Sequence, residues 1–254
     1  VRAVKENQLD QLKSILESEE DKSQEYLTST YFSISDLEFS INKLPNQNLG
    51  LIHIAAYYDS LECFMYIYNR GISLEMLTGN NYMPIHYAAL GGSLEVTSFL
   101  CNNKVNIQDG KDGMTPLFLA SGSKNPRLLS ILFENGAKIN TRLKFSEKSP
   151  FMAAIFVKDV ESLEILIEQG CNINGANDKE LSPLQKAIAV GIDESVELLL
   201  ENGVDVNYVI PKTGRTPLYY ACFRKSFKLV SLLIDYGANV FHRDNFGQTS
   251  VHWA

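Results

Sequence analysis

A short pattern recurs seven times along this chain at a nearly constant interval, and that interval restricts the fold more than any other property. The copies are GLIHIAA (Gly50–Ala56), MPIHYAA (Met83–Ala89), TPLFLAS (Thr115–Ser121), SPFMAAI (Ser149–Ile155), SPLQKAI (Ser182–Ile188), TPLYYAC (Thr216–Cys222) and TSVHWA (Thr249–Ala254). Their second residues stand at 51, 84, 116, 150, 183, 217 and 250, so the steps are 33, 32, 34, 33, 34 and 33. A second marker keeps phase: NRGISL, NNKVNI, ENGAKIN, EQGCNIN, ENGVDVN and DYGANVF, whose glycine slot falls at 71, 104, 136, 170, 203 and 237, with Lys104 the one departure. A fixed period of this length describes a stack of thin units, each resting on its neighbours, in place of one large core.

The residues within a period read as helix, turn, helix. Pro84, Pro116, Pro150, Pro183 and Pro217 sit where a helix begins, where a fixed φ helps and the missing N–H is not needed. Thr or Ser precedes four of them and can cap the open amides. Small pairs such as Ala55-Ala56 and Ala88-Ala89 let helices approach. A second apolar helix follows, as in SVELLLENG, and its glycine suits the left-handed residue that ends a helix. Segments such as KDGMTP and KTGRTP then read as hairpin-like turns.

With these residues in place the chain resembles the ankyrin repeat family, whose unit is about 33 residues with a T-P-L-H-x-A signature. The resemblance implies an all-α repeat solenoid over residues 50–254, with repeats starting near 50, 83, 115, 149, 182 and 216 and an incomplete one at 249. Residues 1–49 read as a partial N-terminal repeat helix plus an irregular helical insert. Ala3-Val4 serves there as a small pair, Leu9, Leu12, Ile15 and Leu16 share one helical face, and residues 17–49 supply short helices packed on the first repeat. Both ends cut through repeats, so the chain reads as a window on a longer array.

The candidates for chemistry dissolve into packing. His53, His86 and His252 occupy one repeat slot, filled elsewhere by Phe118, Met152, Gln185 and Tyr219, which points to a structural tie and not to proton transfer. His242 falls in the last turn. Cys63, Cys101, Cys171 and Cys222 are too far apart for a zinc knuckle or redox motif and behave as small hydrophobes. Glu161 and Glu164 read as a solvated helix face. No phosphate loop, dinucleotide fingerprint or nucleophile elbow is present. The expectation is a chain with no catalytic residue, metal, cofactor or small-molecule substrate.

Composition narrows the partners. With 23 Lys+Arg against 30 Asp+Glu the formal charge is -7, which argues against nucleic acid. The longest uncharged apolar stretch, residues 151–157, is far short of the roughly 20 residues that span a bilayer. Four unpaired thiols fit a reducing compartment, so the expected location is intracellular, cytoplasmic or cytoskeleton-associated.

Surface remains. The resemblance implies a concave binding face built from the two residues after each small pair and from the turn tips before Thr-Pro. Carried onto this sequence, the partner-binding candidates are Tyr57, Tyr58, Tyr82, Leu90, Met114, Phe145, Phe156, Leu181, Arg215, Phe223, Arg224 and Phe246. Aromatic side chains and Arg are the types enriched at interface centres. Helix layers about 10 Å apart would give a face about 65 Å long. The sequence therefore reads as a non-catalytic protein-binding scaffold or adaptor. The alternatives are a structural component of a large cytoskeletal or membrane-associated assembly, and the targeting module of a longer enzyme such as a kinase or ubiquitin ligase.

Overall fold

In a computed structural model of the chain, the structure describes residues 2–17, 49–108, 110–144, 149–175 and 181–253. The insert expected within residues 17–49 lies, apart from its two ends, outside them. The chain forms two compact units, Val1–Ser146 and Glu147–Ala254.

In the first unit α1 (Arg2–Lys5) and α2 (Leu9–Glu17) precede three helix pairs. These are α3 (Leu51–Tyr57) with α4 (Leu61–Asn69), α5 (Pro84–Gly91) with α6 (Leu94–Asn102), and α7 (Pro116–Ala120) with α8 (Pro126–Glu134). In the second unit α9 (Pro150–Val157) pairs with α10 (Val160–Glu168), α11 (Pro183–Val190) with α12 (Asp193–Glu201), and α13 (Pro217–Phe223) with α14 (Phe227–Asp235). A short 3₁₀ turn, Ser250–Trp253, packs on α13. Among the described residues there is no strand beyond an isolated bridge between Arg243 and Thr249. The fold is a helical repeat solenoid in each unit.

Every repeat proline is the first residue of its helix. Three of the four hydroxyl residues before them close the cap: Thr115 Oγ1 accepts from Phe118 N at 3.3 Å, Ser149 Oγ from Met152 N at 3.3 Å and Ser182 Oγ from Gln185 N at 3.2 Å. Thr216 makes no such bond. The small pairs are buried where first helix meets first helix, α3 on α5, α5 on α7, α9 on α11 and α11 on α13. Gly91 shows how close that approach is: a Cβ there would collide with the Tyr57 backbone carbonyl. Phe64, Ile67, Leu100, Leu132, Leu166, Leu199 and Leu233 of the second helices are fully buried. Burying each such side chain stabilises the fold by about 1.5–3 kcal/mol.

The glycine of the second marker has positive φ in each helix end where it occurs, and Lys104 takes the same conformation at φ 57°. The positions after it carry a tie between repeats. Asn172, Asp205 and Asn239 each fold their side-chain Oδ1 onto the backbone N–H two residues on, at 3.0, 2.9 and 3.0 Å. That second residue then reaches the next turn: Asn174 Oδ1 accepts from Asp205 N at 2.8 Å, and Asn207 Oδ1 from Asn239 N at 2.8 Å. In the first unit Glu75 accepts from Asn106 N at 3.1 Å and Gln108 from Lys138 N at 3.2 Å. The turns thus satisfy their amides by a ladder of side chains, where a sheet would use backbone carbonyls.

Candidate partner-binding surface

The histidine slot is the fixed framework behind the surface. His53 Nδ1 accepts the Gly50 N–H at 3.2 Å, which places its proton on Nε2, and Nε2 donates to the Met76 carbonyl at 2.9 Å. Burial holds the ring neutral, lowering its pKa from 6.5 to about 4. His86 and His252 repeat the first bond, to Met83 N at 3.1 Å and Thr249 N at 3.2 Å. Gln185 reproduces both bonds. Its Oε1 accepts from Ser182 N at 2.9 Å, and its Nε2 donates to the Tyr208 and Arg215 carbonyls at 3.2 and 3.1 Å.

The cysteines are free thiols; burial pushes Cys101 up to about 11 and Cys171 up to about 12. Among the described residues no group of three or more His, Cys, Asp or Glu could hold a metal ion. No helix among them is long and apolar enough to cross a membrane.

The twelve candidate surface residues separate into distinct situations. Tyr82 is buried, contrary to its expected place at an exposed tip, because its hydroxyl donates to Met114 Sδ at 3.2 Å and its ring meets His86 edge-on at 5.4 Å. Met114 is half-buried beneath that contact. Tyr57 and Tyr58 are half-buried and pack edge to face at 4.9 Å, with Lys5 Nζ 5.1 Å from the Tyr58 ring centre. Leu90 and Leu181 are half-buried. Phe145 lies outside the described residues.

Of the rest, all in the second unit, four are exposed and Arg215 is half-buried. Phe156 is 66% exposed, Phe223 59% and Phe246 73%. Phe156, Ala189 and Phe223 fill one slot in three consecutive repeats, six residues after the first proline, and all three are exposed. Arg224 is also exposed, but its Nη1 is committed to the Ile188 carbonyl at 2.6 Å, at the end of α11. Its guanidinium fills the space beside Gly191 that a Cβ would need. Phe227, Phe241 and Val251, which the repeat pattern did not single out, are more than two-thirds exposed.

Around Phe223 the side chains enclose a cavity of ≈ 440 Å³ lined by Ala189, Arg215, Tyr219, Tyr220, Phe223, Arg224 and Trp253. The Arg215 guanidinium lies 4.3 Å from the Tyr219 ring centre and 5.8 Å from that of Trp253, and it hydrogen-bonds the Tyr220 hydroxyl. Tyr219 and Phe223 stack at 6.2 Å with 11° between planes, and Trp253 meets Tyr219 at 5.4 Å. Trp253 escaped the sequence reading as a surface residue. The available signal was its slot, which holds Tyr87 and Tyr220 in other repeats.

This architecture has clear relatives. Family models for ankyrin repeats match residues 52–143 and 140–210 as three-copy blocks and residues 191–234 as a many-copy block. The chain belongs to the ankyrin repeat family. The ankyrin repeat domain of human ASB11 superposes with a TM-score of 0.71 at 29% identity, over 80% of this chain and 90% of that one. The ankyrin repeat domain of Bcl-3 gives 0.70 at 22% identity over 82% and 95%, a likeness of fold. Among curated relatives, ankyrin repeat protein L371 of Acanthamoeba polyphaga mimivirus is 25% identical over 149 residues. Phosphocholine transferase AnkX of Legionella pneumophila is 29% identical over 150. Each match takes in 59% of this chain but only 19% and 12% of those proteins. Ankyrin repeat domains are generally protein-interaction modules.

Proposed function

We propose that the chain is a non-catalytic scaffold or adaptor, working inside the cell, that recognises a partner protein through the exposed ends of its first helices and its turn tips. The observation that carries this reading is the exposure of Phe156 and Phe223 in one repeat slot of the second unit. The positions just before them, Ile155 and Cys222, are buried, so exposed aromatic rings at a repeated position supply partner-ready apolar surface. The family supports a binding role, and the free thiols suit a reducing interior.

The test compares proteins captured by the wild-type chain with those captured by a Phe156→Ala/Phe223→Ala double variant, with circular dichroism as the check on folding. Both rings are exposed, so the fold should persist. The expected result is loss of a partner that wild type captures. An identical captured set would remove the proposal.

A second reading, the targeting module of a longer enzyme, is favoured by the match to AnkX, a transferase of which this chain spans 12%. Activity mapped to these 254 residues themselves would contradict both readings.

A further inference from the structure

The cavity around Phe223 combines an apolar wall with a cation that the chain does not neutralise. Among the described residues neither Arg215 nor Arg224 has a carboxylate partner, although the whole sequence holds 30 Asp+Glu against 23 Lys+Arg. The ion pair between Lys228 and Glu197 at 2.8 Å shows that carboxylates are available elsewhere in the same unit. Arg215 is half-buried between aromatic rings, and its Nε is buried with no hydrogen-bond partner among the described residues. Trp253 Nε1 is a second buried donor in the same condition. A buried donor left unmade is costly, and a partly desolvated guanidinium binds a carboxylate more strongly than a fully hydrated one does.

The remaining lining fits a ligand with an apolar part. Tyr219, Tyr220, Phe223 and Trp253 present ring surface, and the ≈ 440 Å³ volume lies within the range of roughly 300–1,000 Å³ typical of ligand clefts. That is more room than one carboxylate needs. Phe223 opens the apolar side to solvent, where a polypeptide could enter.

We propose that this cavity is a recognition site for an acidic, aromatic-bearing segment of a partner protein, with a Glu or Asp carboxylate on Arg215 and an apolar side chain against Phe223. The inference rests on the protein-binding reading above and adds the chemistry of the occupant. Charge complementarity selects an acidic segment over a neutral apolar one, because only a carboxylate compensates Arg215.

The molecule carries its own reporter, since Trp253 is the single tryptophan. The full chain is titrated with an acetylated, amidated peptide of alternating Glu and Phe, and with its Gln/Phe and Lys/Phe counterparts, following Trp253 emission. The expected result is saturable binding of the Glu/Phe peptide, about tenfold or more tighter than the Gln/Phe peptide, and no binding of the Lys/Phe peptide. Arg215→Gln should weaken the Glu/Phe peptide by about ten- to a hundredfold, with Arg215→Lys restoring part of the loss. Equal binding of the acidic and neutral peptides would identify a merely apolar groove and overturn the proposal. So would failure of every peptide, or indifference to Arg215→Gln in a variant with native circular dichroism. If instead the peptides fail while Phe156→Ala/Phe223→Ala still abolishes partner capture, the protein-binding reading stands and only the acidic occupant falls.

Discussion

Gln185 donates to the carbonyl of Tyr208, twenty-three residues further along, at 3.2 Å, and so does for its repeat what His53 does with Met76, also twenty-three residues on, at 2.9 Å. An amide and a neutral imidazole each place an acceptor atom and a donor atom on opposite sides, which is what a tie between a helix start and a turn demands. The slot therefore selects a hydrogen-bonding shape, and imidazole titration is an unwanted property of the commoner occupant.

His53→Gln should separate the two. The His53 ring titrates near 6.5 in an unfolded chain and near 4 in the folded one. Below pH 6.5 the unfolded state takes up a proton that the folded state refuses. Its stabilising contribution is therefore complete above pH 6.5 and is lost as pH falls toward 4, by about 3 kcal/mol in all. Urea unfolding should show the Gln variant close to wild type at pH 7 and about 2 kcal/mol better relative to it at pH 5. A difference independent of pH would mean that the ring is not the neutral tie described.

Asp59 caps a helix in the repeat that follows its own. Its Oδ2 accepts from Leu94 N at 3.1 Å and its Oδ1 from Val96 N at 2.9 Å, at the start of α6. Ser93, the residue before that helix, leaves the task to Asp59 and donates instead to the Tyr57 carbonyl at 3.0 Å. Asp59→Ala should lower stability by about 0.5–2 kcal/mol through the lost cap. It should cost somewhat more because Asp59 sits at φ 54°, a conformation that Asp tolerates better than Ala. Asp59→Asn should fall between the two in thermal melts; an Ala variant that melts like wild type would show that Ser93 can take over the cap.

Lys104 and Gly203 occupy the same slot with opposite fitness for it. Both have positive φ, 57° and 75°. Nothing lies within 4 Å of a Cβ built on Gly203, so a side chain there meets backbone strain alone. Gly203→Val should destabilise by about 1–2 kcal/mol, and Lys104→Gly should stabilise by about 1 kcal/mol. Midpoints of urea unfolding should move in opposite directions. A shared direction would separate the two positions that the sequence aligns.

Much of the fold could be read from residue types because each repeat position makes a local demand. Proline at a helix start and glycine at a helix end report their φ wherever they stand, and the period then supplies the stacking. The surface was less legible because contact across repeats depends on geometry that the period does not encode. Tyr82 and Met114 both look like exposed tip residues in the sequence, yet the thirty-two-residue step from one to the other brings hydroxyl to sulfur and buries the tyrosine. Gly91 falls in a slot that elsewhere holds Tyr58 or Arg224, but its lack of a side chain serves the close passage of the Tyr57 carbonyl. Arg215 was legible as a tip cation, whereas its aromatic enclosure depended on Trp253 arriving from the next repeat.

The side-chain ladder through Asn174, Asp205, Asn207 and Asn239 has a consequence for how such a chain can change over generations. Each rung offers an acceptor to the turn ahead and a donor to the turn behind. A duplicated unit would thus arrive with both halves of its own connection and leave no group unmatched. A gain or loss of whole units preserves the wiring, but a single inserted residue between Asp205 and Asn207 would shift donor from acceptor and disconnect two neighbours at once.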